Sequence, residues 1–325
     1  MDRRAFLGTL GLLAAARAGE AQQAAKAFRV GYLASASAIT EKVAVEAFRE
    51  ELQRQGWVDG VNLVMTYRFA DGDAARLGAL AQELVGANLH VLVTRATPAT
   101  HAAQRLAGPL PIVMIGVGDP VGSGFVRSLA RPGGNITGTS FVGPELAAKN
   151  LELLKEVAPR SSRVAVLVNP TNPLDPPVAR ALGSAADALR VTLQRVEVRD
   201  GEGFSAALNA LKDSPPDAVL TLNDPVFLLR RAQLVELCAR LRIPTMFQQP
   251  LYVQSGGLMS FQPSVADMSR RAAVQVSRIF RGANPSDLPV EQPTKFELVI
   301  NLHTAKALGL TIPPSVLLRA DEVIQ

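Results

Sequence analysis

The chain reads as an α/β protein built from two similar, doubly wound parallel-sheet lobes. Three observations predict this. Short β-rich runs alternate with helical segments from residue 28 onward, the pattern of βαβ units. The alternation occurs twice at nearly constant spacing. Polar-proline junctions also recur where apolar runs end, at Thr97-Pro98, Asp119-Pro120, Asn169-Pro170, Asp224-Pro225 and Gln249-Pro250. Thr, Asp and Asn cap helix N-termini, and proline suits the first helical turn. Each junction therefore marks the carboxyl end of a strand running into a helix.

The first half runs FRVGYLAS (strand), TEKVAVEAFREELQRQG (helix), NLVMTYRFA (strand) and ARLGALAQELVG (helix). It continues with HVLVTRA, a helix from Pro98, PIVMIGV, a helix near 122–130, and the strand NITGTSF. The second half repeats the scheme from RVAVLVNP through TLQRVEVRD and DAVLTLN to PTMFQQ. Val30 aligns with Val164, Asp71-Gly72 with Asp200-Gly201, Leu92 with Leu220, and Pro111 with Pro244. Those offsets are 134, 129, 128 and 133 positions. Right-handed crossovers place helices on both faces of each sheet.

The tail completes the two lobes and adds no third domain. VADMSRRAAVQVSRIFRG is an amphipathic helix, KFELVIN a strand and HTAKALGL a short helix. The expected boundaries are 28–143 with 264–283 for the first lobe, and 144–260 with 292–325 for the second. A hinge of three strands, near 141–146, 254–263 and 284–293, would join them.

Residues 1–21 read as an export signal. A charged start, an apolar Gly/Ala/Leu core and small residues before Gln22 fit a secretory segment, with cleavage after Ala21. Arg3-Arg4-x-Phe6-Leu7 is similar to a twin-arginine signal, so a periplasmic location is expected. The apolar stretch is well short of the ~20 residues of a spanning helix.

The 325 residues carry 34 basic and 29 acidic side chains, for a net charge of +5. The charges are well mixed, with no basic cluster interleaved with aromatics, so nucleic acid is not an expected partner. His90, His101 and His303 lack metal-ligand spacing, and no phosphate-binding glycine loop or nucleophile elbow is present. No cofactor, metal or catalytic residue is expected. Cys238, the only cysteine, falls on an apolar stripe and reads as a buried hydrophobe.

Motif details narrow the reading. GYLASASA, TRATPATHAAQ, ELAAKNLELLKEVAP and above all the block from Pro111 to Ser140 resemble one ABC-transporter substrate-binding family. That family includes tryptophan- and tyrosine-binding members. The resemblance covers nearly all of the chain after the signal. It implies a type I periplasmic binding fold and a receptor that is not an enzyme. Such a receptor captures a small solute and delivers it to an inner-membrane permease driven by a separate ATPase. The small loop Ser35-Ala36-Ser37-Ala38 departs from the ligand-contacting aromatic or polar side chain expected there, which counts against an aromatic ligand.

In such a fold the strand-end loops face one cleft. The first lobe would supply Ser35, Ser37, Thr97, Pro98 and Asp119. The second would supply Asn169, Asp224, Gln249 and Tyr252. Helix N-termini and hydroxyls favour a carboxylate, and Asp224 or Asp119 could accept from an ammonium group. A small carboxylate-bearing or amino-acid-like solute is the expected ligand. Two rival readings remain open: a periplasmic α/β enzyme acting on a small molecule, and the ligand-binding domain of a sensor.

Overall fold

The computed structural model describes residues 27–172 and 175–325. The signal reading lies outside these residues. Apolar, β-branched runs form the centre of the first sheet because helices cover both of its faces. Its strands are β1 (Phe28–Ala34), β2 (Leu63–Phe69), β3 (Val91–Arg95), β4 (Ile112–Val117) and β5 (Ile136–Ser140). They run parallel in the order β2-β1-β3-β4-β5. Helices α1 (Lys42–Arg54), α2 (Arg76–Val85) and α3 (Ala96–Leu106) connect them. One apolar cluster fills each face, around Leu33, Leu92 and Met114 on one side and Tyr32, Phe48 and Ile115 on the other.

After α4 (Gly143–Val157), the second sheet takes up β6 (Arg163–Val168), β7 (Thr192–Glu197), β8 (Ala218–Thr221), β9 (Thr245–Phe247) and β10 (Met259–Pro263). All five are parallel. They are linked by α5 (Asp175–Leu189), α6 (Gly201–Asp213), α7 (Pro225–Leu229), α8 (Arg231–Arg240) and α9 (Pro250–Gln254). β11 (Phe296–Asn301) joins β10 antiparallel, and β12 (Glu322–Ile324) extends the edge parallel to β11.

Sheet register confirms that the two halves share one plan and corrects the alignment by a residue. Val30 pairs with Val91 in the first sheet, as Val164 pairs with Ala218 in the second. Leu92 N donates to Pro111 O at 2.9 Å, and Val219 N donates to Pro244 O at 2.9 Å. Leu92 therefore corresponds to Val219, not Leu220. An apolar run marks a strand but does not set its register to one residue. The corrected offset of 127, from Leu92 to Val219, carries Thr97 onto Asp224.

The chain passes between the lobes three times. The first crossing is Phe141–Val142, since α4 already begins at Gly143. Val142 sits at φ +49°, a left-handed conformation that β-branched residues avoid. The second crossing follows β10 at Ser264, whose hydroxyl caps α10 (Val265–Phe280). α10 packs on α1 and over β4 and β5. The third returns through residues 281–295. There Thr137 Oγ1 donates to Leu288 O at 2.7 Å, and Gln275 Nε2 donates to Pro289 O at 3.0 Å.

One expected helix does not form. Residues 119–135 are turns and irregular chain. Gly124 and Gly133 take φ of +71° and +72°, outside the helical region. Asp119 Oδ1 accepts from Gly122 N at 2.8 Å and closes a turn. Phe125 and Val126 drop into the core without helical periodicity.

Candidate functional site

A cavity of about 590 Å³ opens between the lobes at the carboxyl ends of the strands. It is lined from the first lobe by Ser35, Glu41, Arg95, Thr97, Pro98 and Gly116. The second lobe contributes Asn172, Asn223, Leu228, Gln249 and Leu251, and the side nearest the crossings contributes Gln262, Glu297 and Glu322. Of the candidate ligand contacts named on the sequence, Ser35, Thr97, Pro98 and Gln249 line this cavity.

The other expected site residues do different work. Ser37 closes the turn before α1, accepting from Thr40 N at 3.4 Å and Thr40 Oγ1 at 2.9 Å through its hydroxyl and carbonyl respectively. Asp119 is spent on its turn, as described. Tyr252 is 3% exposed and stacks on Phe247 with ring centroids 4.3 Å apart, so it belongs to the second-lobe core. Helix packing in the short α9 turns it inward, away from the cleft.

Asp224 caps α7 by accepting from Val226 N at 2.9 Å. Its other oxygen accepts from Asn169 Nδ2 at 3.2 Å and Asn172 Nδ2 at 3.0 Å. Asn169 in turn accepts from Thr171 N and Thr171 Oγ1. Asp224 and Asn169 are one buried network that ties two strand-end loops together. They border narrow cavities of about 20 and 30 Å³, not the main one. Burial pushes the Asp224 carboxyl above its ordinary range, against the pull of these donors.

Thr97, unlike Asp224, does not cap its helix. α3 starts at Ala96 with Arg95 as the N-cap residue, and Ala96 is held at φ +68°. Thr97 Oγ1 instead accepts from Gly118 N at 3.3 Å, tying the β4 loop to the β3 loop.

The side chains that sequence reasoning missed are Arg95 and Glu41. Arg95 ends a strand whose five residues are all buried, and it is itself 5% exposed. Its Nη1 donates to Ile115 O at 3.3 Å. Its Nε lies 3.4 Å from Glu41 Oε2 without an aligned hydrogen bond, and has no other partner. Tyr32 donates to the same Glu41 oxygen at 3.4 Å. Desolvation raises the Glu41 carboxyl more than Arg95 and Tyr32 lower it. A buried pair of this quality leaves charge to be satisfied from the cavity. Gly116, at φ +65°, makes the room: a Cβ there would stand 2.7 Å from Arg95 Nη1. The available signal was a lone arginine closing the apolar run HVLVTRA.

This is the architecture of a two-lobed receptor, and comparison with known proteins agrees. A model of the family described as ABC transporter substrate binding protein matches residues 33–324. The chain belongs to that family. This substrate-binding protein is 24% identical over 268 residues to the tyrosine-binding protein of Clostridioides difficile, covering 82% of this chain and 76% of that one. Among solved structures, a conserved domain protein from Vibrio cholerae superposes with a TM-score of 0.86 at 27% identity. That match covers 92% of this chain and all of the other. An ABC domain from Streptococcus pneumonia in complex with L-Trp gives 0.85 at 24% identity, with the same coverage. The fold is that of type I periplasmic binding proteins, and the family binds solutes for ABC transporters; it is not a family of enzymes. Among the described residues, no helix is long and apolar enough to cross a membrane, and no side-chain group could hold a metal ion.

Proposed function

We propose that the chain is the exported solute-capturing component of an ABC importer and holds an amino-acid-like solute between its lobes. The observation that carries this reading is the buried Arg95 guanidinium at the cavity floor, with Glu41 beside it. Arg95 presents an under-used donor to a carboxylate, and Glu41 offers an oxygen to the ammonium group of the same zwitterion. Ser35, Thr97, Pro98 and Gln249 border that floor and complete the contacts. The tyrosine and L-Trp named for two relatives are of the same zwitterionic class. Delivery to an inner-membrane permease with its own ATPase, and export by a twin-arginine-like signal cut after Ala21, complete the role.

Contacts divided between lobes are complete only when the lobes close, so ligand binding favours closure. Isothermal calorimetry of the full chain against amino acids, simple carboxylates and sugars tests the reading. An amino acid is expected to bind more tightly than its decarboxylated amine. Equal binding of the two, or preference for a sugar, would remove the Arg95 carboxylate contact and the reading with it.

A further inference from the structure

The side of the cavity nearest the crossings differs from its floor. Gln262 of β10 stands opposite Glu297 of β11 in an antiparallel pair, so both side chains leave the same face. Val299 is in register with Glu322 of β12, which extends that face. Gln262, Glu297, Val299, Asp321 and Glu322 all line the cavity.

Three carboxylates therefore share one wall. Among the described residues, Glu297, Asp321 and Glu322 make no ion pair within 4.0 Å. This occurs in a chain whose net charge is +5. The Gln262 amide is 3% exposed, and its carbonyl oxygen has no hydrogen-bond partner. A buried amide left unpaired beside a cavity costs free energy that a ligand donor can recover. Apart from Phe141, the described residues lining the cavity include no aromatic side chain. An indole or phenol would find little to stack on here.

We propose that this wall takes a cationic side chain, so that the captured solute is a basic amino acid carrying an alkylammonium or guanidinium group. The proposal rests on the amino-acid reading above and adds the class of side chain. With the zwitterionic head at Arg95 and Glu41, the solute's chain runs toward Gln262. There its N–H donors meet the amide carbonyl, and its charge meets Glu297 and Glu322. Asp321 is partly committed, since one of its oxygens accepts from Leu298 N at 2.8 Å.

The test is calorimetry of the full chain with L-arginine, L-lysine, L-norleucine, L-tyrosine and L-tryptophan. Norleucine keeps the aliphatic chain of lysine and lacks its charge. Arginine or lysine is expected to bind at least about tenfold more tightly than norleucine. Glu297→Gln with Glu322→Gln is expected to erase that preference, bringing lysine affinity down to within about twofold of norleucine affinity in the same variant. A thermal melt of the variant confirms that it is folded. If the variant does not fold, loss of the lysine preference of the wild-type chain in high salt serves instead. Tighter binding of tyrosine or tryptophan than of arginine would overturn the cationic wall and leave the amino-acid reading standing. Binding of no amino acid in the panel would overturn both.

Discussion

Thr97-Pro98 and Asp224-Pro225 occupy equivalent positions in the two lobes, and they are used differently. In the first lobe the junction is open. Thr97 ties two loops, and Arg95, two positions before it, lines the cavity while its buried Nε lacks a hydrogen-bond partner. In the second lobe the junction is closed on itself. Asp224 accepts from Val226, Asn169 and Asn172, so its carboxylate has little capacity left for a solute. A duplicated fold thus repeats where its loops are, but not what each loop does. At these paired junctions the first lobe lines the cavity with the charged Arg95, whereas the second lines it with the amides of Asn172, Asn223 and Gln249.

Asp224→Ala probes the closed side and carries the largest expected cost. It removes a helix cap and leaves two buried Asn amides short of an acceptor. The expected loss is roughly 2–4 kcal/mol of stability, read from urea unfolding. Affinity of the folded fraction should fall by less than the Arg95 variant loses. A variant as stable as the wild type but unable to bind would return Asp224 to the ligand site and end the contrast between the lobes.

Arg95→Gln probes the open side. It removes the charged donor from the cavity floor and leaves Glu41 buried beside a neutral amide. Affinity for the preferred amino acid should fall about ten- to a hundredfold, or roughly 1.5–3 kcal/mol. The decarboxylated amine, which never used the contact, should be affected less. Equal losses for both ligands would mean that Arg95 acts only by holding Glu41 and the strand end.

Thr97→Ala tests the tie between the β3 and β4 loops. Losing the bond from Gly118 N should cost about 1 kcal/mol in stability. Affinity should drop only a few-fold, because the loop that accommodates Arg95 near Gly116 is loosened and no charge is removed. Unchanged melting together with a large affinity loss would make the hydroxyl a direct ligand contact.

The fold was legible in the sequence because strand and helix periodicities differ, and because the two halves repeat. The junctions were legible as positions. Their roles were not, since a side-chain oxygen beside a helix start can cap that helix, bond a neighbouring loop or meet a solute. Asp224, Asp119 and Thr97 come out three different ways by contacts that are distant in sequence or set by local turns. Arg95 and Glu41 lie 54 positions apart. Only the pairing of β1 with β3 brings their loops together, so neither stood out alone. The acidic wall likewise exists only through the registers of β10, β11 and β12.

Tyr252→Phe is the finest test of the contrast. On the sequence, this ring belongs to the cleft, where a tyrosine could both stack on a solute and donate to it. In the structure it stacks on Phe247 within 9° of parallel, inside a cluster with Leu167 and Val219 and with Leu251 packed at its margin. Burial also pushes its hydroxyl far above the ordinary phenol range, with Asp224 adding in the same direction. Phenylalanine keeps the stack and the packed volume, so stability should change by no more than about 1 kcal/mol. Affinity should stay within about twofold, because the ring does not line the main cavity. A larger loss of affinity at unchanged stability would place Tyr252 at the solute after all, and the second lobe would then contribute more than a wall.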